Sequence, residues 1–332
     1  MSGRIRGLFT PLALMLAGWM PFSQQGRAAE QGWPADVSEN SFALPSQAGN
    51  FHYYSLNTRQ HQPIVSALIV LHGHPRDVGN TLAAAAEAAQ GVPAASNTAI
   101  VAPLFQVAAS RDSRCRSSGL PAASAGDALW SCRSWLGGEP DSQQRITAFA
   151  AMDNLLLTLK QRWPALRNVT VAGFSAGGQF VQHYIGFAHP PEGVALRFVA
   201  GDPGSWLYFD QRKVTGCPNA SRWKYGVEDL PGWLNETAAA ARQRYRLADV
   251  HYLEGADDRG KGPGRYWKIL DKSCAAMAQG EFRLDRGLNY QQYEREVLKP
   301  VTPHKLTVVP GCAHDVRCVF PSKEGRQALF TP

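Results

Sequence analysis

Gly173-Phe174-Ser175-Ala176-Gly177 sets a serine between two glycines in the pattern G-x-S-x-G. A serine hydroxyl attacks a carbonyl carbon only when a base removes its proton and nearby donors hold the developing oxyanion. The pattern alone is weak, because roughly 0.2 matches arise by chance at this glycine and serine content. Its surroundings are more specific. Val169-Thr170-Val171-Ala172 reads as a strand entering the motif, and Gly178-Gln179-Phe180-Val181-Gln182-His183-Tyr184 as a helix leaving it. A tight strand–turn–helix bend holds a serine hydroxyl above a sheet edge, and the flanking glycines allow the close backbone approach that the bend requires. The N-terminus of the following helix favours negative charge.

The other groups follow in a usable order. His314 comes after the apolar run Leu306-Thr307-Val308-Val309 and the turn Pro310-Gly311, which suits the base. Val250-His251-Tyr252-Leu253-Glu254-Gly255-Ala256-Asp257-Asp258 supplies the acid that orients the imidazole; Asp258 is preferred, with Asp257 and Asp202 as alternatives. For the oxyanion, the backbone amide of Ala176 is one donor. The second comes from Leu71-His72-Gly73-His74-Pro75; proline has no N–H, so His74 is assigned. Losing one such donor typically costs about 3–4 kcal/mol of transition-state stabilisation.

These residues need a scaffold that brings distant segments to one edge. Continuous apolar runs at 66–71, 98–104, 168–172, 196–200, 249–253 and 305–309 read as buried strands, with an earlier one at 51–56. Helical patterns at 81–89, 144–163, 176–188, 284–298 and 323–330 alternate with them. The expected fold class is therefore α/β, with a mostly parallel sheet and helices on both faces. Two stretches break the alternation, at 106–141 and 202–247. Both are aromatic-rich inserts that follow strand ends, where open α/β sheets bind ligands. Trp130, Trp206, Tyr208 and Trp223 are the expected groove residues.

The chain has 332 residues, of which 44% are hydrophobic and 18% charged. That composition excludes a disordered chain, a coiled coil and a collagen-like fibre. Residues 1–28 read as a cleavable signal: Arg4 and Arg6, a short apolar run, then Gly26-Arg27-Ala28. The expected organisation is this signal, a lead-in at 29–50 and one catalytic domain at 51–332. Removing the signal takes three arginines and no acid, lowering the formal charge from +7 to +4. No block of basic residues suggests nucleic-acid binding, and nothing after the signal suggests stable membrane insertion. Oligomeric state stays open.

Six cysteines in the exported part suggest three disulfides, and fifteen pairings are possible. Nearest-neighbour closure gives Cys115–Cys132, Cys217–Cys274 and Cys312–Cys318. No C-x-x-C occurs and the histidines are scattered, so no metal is expected.

At Gly173-Phe174-Ser175-Ala176-Gly177-Gly178 and His72-Gly73 the chain resembles the α/β-hydrolase superfamily, over residue 51 to the C-terminus. It is most similar to exported esterases of the polyhydroxyalkanoate depolymerase and feruloyl esterase kind. The resemblance implies a three-layer fold with a sheet of about eight strands, no cofactor and an acyl-enzyme. Trp223-Lys224-Tyr225-Gly226, Ser273-Cys274-Ala275-Ala276-Met277-Ala278-Gln279-Gly280 and Val309-Pro310-Gly311 resemble a poorly characterised bacterial branch, which implies no substrate. Gly201-Asp202-Pro203-Gly204 and the basic Arg259-Gly260-Lys261-Gly262 depart from that branch.

The leading expectation is a secreted or periplasmic serine hydrolase of carboxylic esters, acting on a small molecule or a polymer. Amide cleavage is the alternative, including an anionic polyamide such as poly(aspartic acid), with Arg259 and Lys261 attracting the chain. A reading of another class is a non-catalytic binding protein on a hydrolase scaffold.

Overall fold

A computed structural model describes residues 32–57 and 63–330. The signal expected at 1–28 lies outside the described residues. Eight strands form one sheet: β1 (Val37–Leu44), β2 (Gly49–Leu56), β3 (Ser66–Leu71), β4 (Thr98–Leu104), β5 (Asn168–Phe174), β6 (Ala195–Gly201), β7 (Asp249–Gly255) and β8 (Lys305–Val309). Their spatial order is β1-β2-β4-β3-β5-β6-β7-β8. Strands β1 and β2 run antiparallel to their neighbours and the rest are parallel. This is the three-layer α/β-hydrolase arrangement expected from the sequence.

The continuous apolar strands are explained by burial on both faces. In β3, Ala67, Ile69 and Leu71 enter one core while Leu68 and Val70 enter the other. Helices α1 (Val78–Ala89), α7 (Val316–Val319) and α8 (Lys323–Phe330) cover the second face. Helices α2 (Ala148–Arg162), α3 (Ala176–Tyr184), α4 (Ala238–Leu247) and α6 (Arg283–Tyr293) cover the first. The four-residue α5 (Cys274–Met277) sits between β7 and α6.

Several elements differ from expectation. Strand β1 lies inside the segment read as a lead-in; its Ser38, Glu39, Asn40 and Ser41 hide it, because an edge strand can be half solvated. Helix α2 begins at Ala148, not 144, because the Thr147 side chain caps it by accepting the Ala150 amide (3.0 Å). Residues 144–146 instead belong to a turn held by Asp141, whose Oδ1 accepts the Arg145 amide (2.6 Å). Helix α3 ends at Tyr184, short of 188, and the pattern at 284–298 divides into α6 and a π-turn at Glu294–Leu298. The second insert is not loop throughout: Thr237 caps α4 there by accepting the Ala240 amide (3.1 Å).

All six cysteines are paired as nearest-neighbour closure gives, with Cα separations of 5.6, 5.7 and 5.6 Å. These fall within the range a disulfide spans. The pairing fits an oxidising compartment. Among the described residues, no helix is long and apolar enough to cross a membrane.

Candidate active site

Strands β3, β5, β6, β7 and β8 are parallel neighbours, so the loops that follow them meet at one edge of the sheet. Those loops carry His74, Ser175, Asp202, Asp258 and His314. Ser175 stands between β5 and α3 with φ +60° and ψ −117°. A non-glycine residue in this region stores about 1–3 kcal/mol of strain that the surrounding packing must hold. A Cβ at Gly177 would collide with the Leu71 carbonyl, and one at Gly178 with the Gly201 carbonyl. The second clash explains a glycine beyond the five-residue motif: α3 presses directly on the end of β6.

A continuous hydrogen-bonded chain runs from the serine. Ser175 Oγ lies 2.7 Å from His314 Nε2, and His314 Nδ1 lies 2.6 Å from Asp258 Oδ2. Burial pushes the His314 pKa down to about 4; the nearby Arg283 cation adds to this, and Asp258 opposes it. The imidazole is therefore neutral at neutral pH, the state in which it can accept a proton.

Of the three candidate acids, only Asp258 contacts the imidazole. Asp257 is exposed, its amide bonded to the Cys312 carbonyl (2.8 Å). Asp202 is buried, and its Oδ1 accepts the Gly255 amide (2.9 Å). The Asp202 and Glu254 carboxyls face each other there. Burial pushes both far above the ordinary carboxylate range, and each is raised further by neighbouring carboxylates. Asp202 thus organises the turn that carries Asp258 and makes no hydrogen bond to the histidine.

Arg283, on α6, went unrecognised in the sequence because no motif surrounds it. Its Nη1 donates to Asp258 Oδ1 (3.4 Å) and to the Arg265 carbonyl (2.8 Å). Atoms of Asp202, Asp258 and His314 lie within 4.8 Å of one another, a donor set that could hold a cation. Here Asp258 is already engaged on one side by the Arg283 cation and on the other by His314.

The two expected oxyanion donors share a cavity with the serine. His74, Ser175 and Ala176 all line a space of about 720 Å³. The Gly73 amide is committed to Asp77 Oδ1 (2.9 Å), which leaves the amide of His74. Ala176 is the first residue of α3, where an N–H has no partner within the helix.

The aromatic groove expected from the sequence is not the lining of this cavity. Trp130 packs edge-on against Phe51 and Phe105. Trp206 is fully buried between Tyr252 and Tyr290, and Tyr208 packs on Tyr290 and Tyr293. Trp223 contacts Phe149, Phe187 and Trp233. Large aromatics in an insert serve first to bury area against the sheet, and these four do that.

The inserts are fastened to the edge by polar clamps. Buried Arg76 donates to the Cys115 carbonyl (3.0 Å) and to Asp112 (3.4 Å), holding the first insert beside His74. Gln279 binds both backbone groups of Trp206, at 2.8 Å each, and Cys217–Cys274 ties the second insert to the same segment. The cations Arg259 and Lys261 do not line the cavity; they pair with Asp285 (2.9 Å) and Glu281 (3.0 Å).

No family model matches the sequence, and no curated protein sequence matches it. Solved structures do share its fold. A poly(aspartic acid) hydrolase from Sphingomonas sp. KT-1 is similar at 20% identity and a TM-score of 0.60, over 89% of this chain and 99% of that one. A poly(3-hydroxybutyrate) depolymerase from Bordetella parapertussis is similar at 19% identity and a TM-score of 0.60, over 90% and 91%. An S-formylglutathione hydrolase from Agrobacterium tumefaciens is similar at 14% identity and a TM-score of 0.50, over 88% and 92%. At these identities the likeness is one of fold.

Proposed function

We propose that this protein is an exported serine hydrolase that cleaves an acyl bond, with carboxylic esters as the leading class. The observation that carries the reading is the unbroken chain Ser175 Oγ–His314–Asp258, at 2.7 and 2.6 Å. In this mechanism His314 Nε2 takes the Ser175 proton as Oγ attacks the carbonyl carbon. The amides of His74 and Ala176 hold the resulting oxyanion. His314 then returns the proton to the leaving group as the bond to it breaks and the oxyanion collapses to a carbonyl, leaving the acyl–serine ester. Water, activated by the same imidazole, releases the acid. Asp258 keeps Nδ1 protonated and stabilises the imidazolium without taking the proton. No step calls for a cofactor.

Export is part of the same reading, supported by the three disulfides and by the sequence of residues 1–28. The same triad serves amides, so amide cleavage is the second reading. The fold is shared with hydrolases described as acting on a polyester and on poly(aspartic acid), which keeps a polymer substrate open under either.

The test is turnover of matched short-chain p-nitrophenyl esters and p-nitroanilides by the protein and by Ser175→Ala. Ester turnover lost in the variant supports the leading reading, and anilide turnover with little ester turnover supports the second. Equal turnover by the variant overturns the serine mechanism. A protein inert to both, and to serine-directed labelling, would be a binding protein on this scaffold.

A further inference from the structure

The cavity over Ser175 is lined by six cationic side chains: Arg114, Arg133, Lys224, Lys268, Lys272 and Arg283. Only one acid, Asp271, lines it with them. Two of the cations are spoken for. Arg283 binds Asp258, and Lys224 Nζ lies 3.3 Å from Asp271, whose carboxyl Lys224, Tyr225 and Ser273 together pull down to about 2 against the effect of burial. The remaining four, Arg114, Arg133, Lys268 and Lys272, form no ion pair with any described residue, although Lys272 Nζ donates to the Lys268 carbonyl (2.7 Å) and lies 4.5 Å from the centre of the Trp267 ring. Like charges gathered without counter-charge raise the energy of the empty cleft, and an anion removes that cost.

These cations come from separate segments that the fold brings together. Arg114 and Arg133 belong to the first insert, on either side of the Cys115–Cys132 disulfide. Lys268 and Lys272 follow β7, in the loop that leads to α5. Four uncancelled charges at one cavity compare with a formal charge of only +4 for the chain without residues 1–28.

The floor supplies an independent sign of a ligand. Gln179 lies one helical turn beyond Ser175, is 4% exposed and lines the same cavity. Its Oε1 accepts the Ser205 hydroxyl (3.0 Å), whereas its Nε2 is buried with no hydrogen-bond partner. A buried donor left unpaired costs about 1–3 kcal/mol, which an acceptor on a bound molecule would recover. Beside these groups Ile269 stands 66% exposed at the cavity, an apolar contact suited to methylene carbons.

We infer that the substrate is an anionic acyl compound bearing carboxylates near the scissile bond, held by Arg114, Arg133, Lys268 and Lys272 with Gln179 Nε2 as a further donor. Arginine forks pair carboxylates bidentately, and lysines supply point charge over a longer chain. The inference rests on the serine-hydrolase reading and names the substrate class of that site.

The experiment compares kcat/KM for the p-nitrophenyl monoester of adipic acid with that for its methyl-capped, neutral counterpart. At low ionic strength the anionic ester is favoured about tenfold or more, and the preference shrinks toward unity in about 1 M salt, where charges are screened within roughly 3 Å. Arg114→Ala with Arg133→Ala, or Lys268→Ala with Lys272→Ala, lowers the ratio by raising KM for the anionic ester. Arg295→Ala, which removes an exposed charge outside the cavity, keeps it. Ester turnover with no anionic preference overturns this inference and leaves the serine mechanism standing. No turnover, with no fluorophosphonate label on Ser175, overturns both.

Discussion

Arg283 and His314 act on opposite oxygens of one carboxylate: Arg283 Nη1 is 3.4 Å from Asp258 Oδ1, and His314 Nδ1 is 2.6 Å from Asp258 Oδ2. All three side chains are buried. A guanidinium there fixes the carboxylate's orientation and, as a second cation near the imidazole, opposes its protonation. In the proposed mechanism Arg283 is a positioning residue.

Replacing it should expose that role. Arg283→Gln leaves Asp258 with one partner fewer and removes a positive charge beside His314, so the His314 pKa rises from about 4 toward its ordinary value. The expected result is a loss of kcat/KM with the acid limb of the pH profile displaced upward, and partial recovery of both in Arg283→Lys. A merely structural role would lower the amount of folded enzyme without moving the limb.

The wild-type pH profile carries its own sign. The base works only when unprotonated, so activity falls as pH drops through the His314 pKa of about 4. Activity should persist at pH 5.5, where a solvent-exposed histidine would already be mostly protonated. The readout is kcat/KM for a neutral ester between pH 4 and 8, with folding followed by circular dichroism at each pH. A limb near 6.5 in folded protein contradicts the account.

Stability should depend on pH in the same direction over that range. Burial holds His183, His251 and His314 down to about 4 and His72 to about 3. As pH falls below about 6.5 the unfolded chain takes up protons that the folded chain does not, so stability drops progressively toward pH 4. Urea midpoints at pH 7.5, 6 and 5 should fall in that order.

The buried acids act in the opposite sense, from the ordinary carboxylate range upward. Asp202 and Glu254 are pushed up by burial, so the folded protein keeps a proton that the unfolded chain has released. Stability from this pair is lost as pH rises. Glu254→Gln should remove that contribution, so that its urea midpoint gains more than the wild-type midpoint as pH rises from 5 toward neutrality. Equal pH dependence in the two proteins would contradict the raised carboxyl pair.

The Cys217–Cys274 disulfide closes a separation of 57 residues and should contribute about 4 kcal/mol in the loop-closure account. Reductant, or Cys217→Ala with Cys274→Ala, should lower both Tm and activity, because the same bond fixes the second insert beside the cavity. Unchanged Tm with six free thiols counted would contradict the framework.

The groups of the hydrogen-bonded chain were legible in the sequence because each follows a buried strand, and parallel strands deliver their ends to one edge. Strand, turn and residue type were enough to pick out Ser175 and His314 and to narrow the acid to Asp258, Asp257 or Asp202; the fold brings Asp258 to the imidazole. What supports them could not be found this way. Arg283 comes from a helix, and Gln279 and Arg76 act through backbone carbonyls and amides that no side-chain pattern announces. The inserts misled in two ways. Their aromatics looked like a groove but supply buried area, and Arg259 and Lys261 looked like the anion-attracting cations but pair with acids. Cations without a carboxylate partner are distinguished from ion-paired ones only once the loops are folded. Strand β1 escaped notice because half its residues are polar.

The most direct test of the central claim is labelling of the protein with a fluorophosphonate, followed by peptide mapping and compared with Ser175→Ala and His314→Ala. Stoichiometric, activity-destroying label on Ser175, lost in the first variant and slowed by orders of magnitude in the second, is the predicted result. Folded protein that takes no label at Ser175, or takes it equally without His314, contradicts the account.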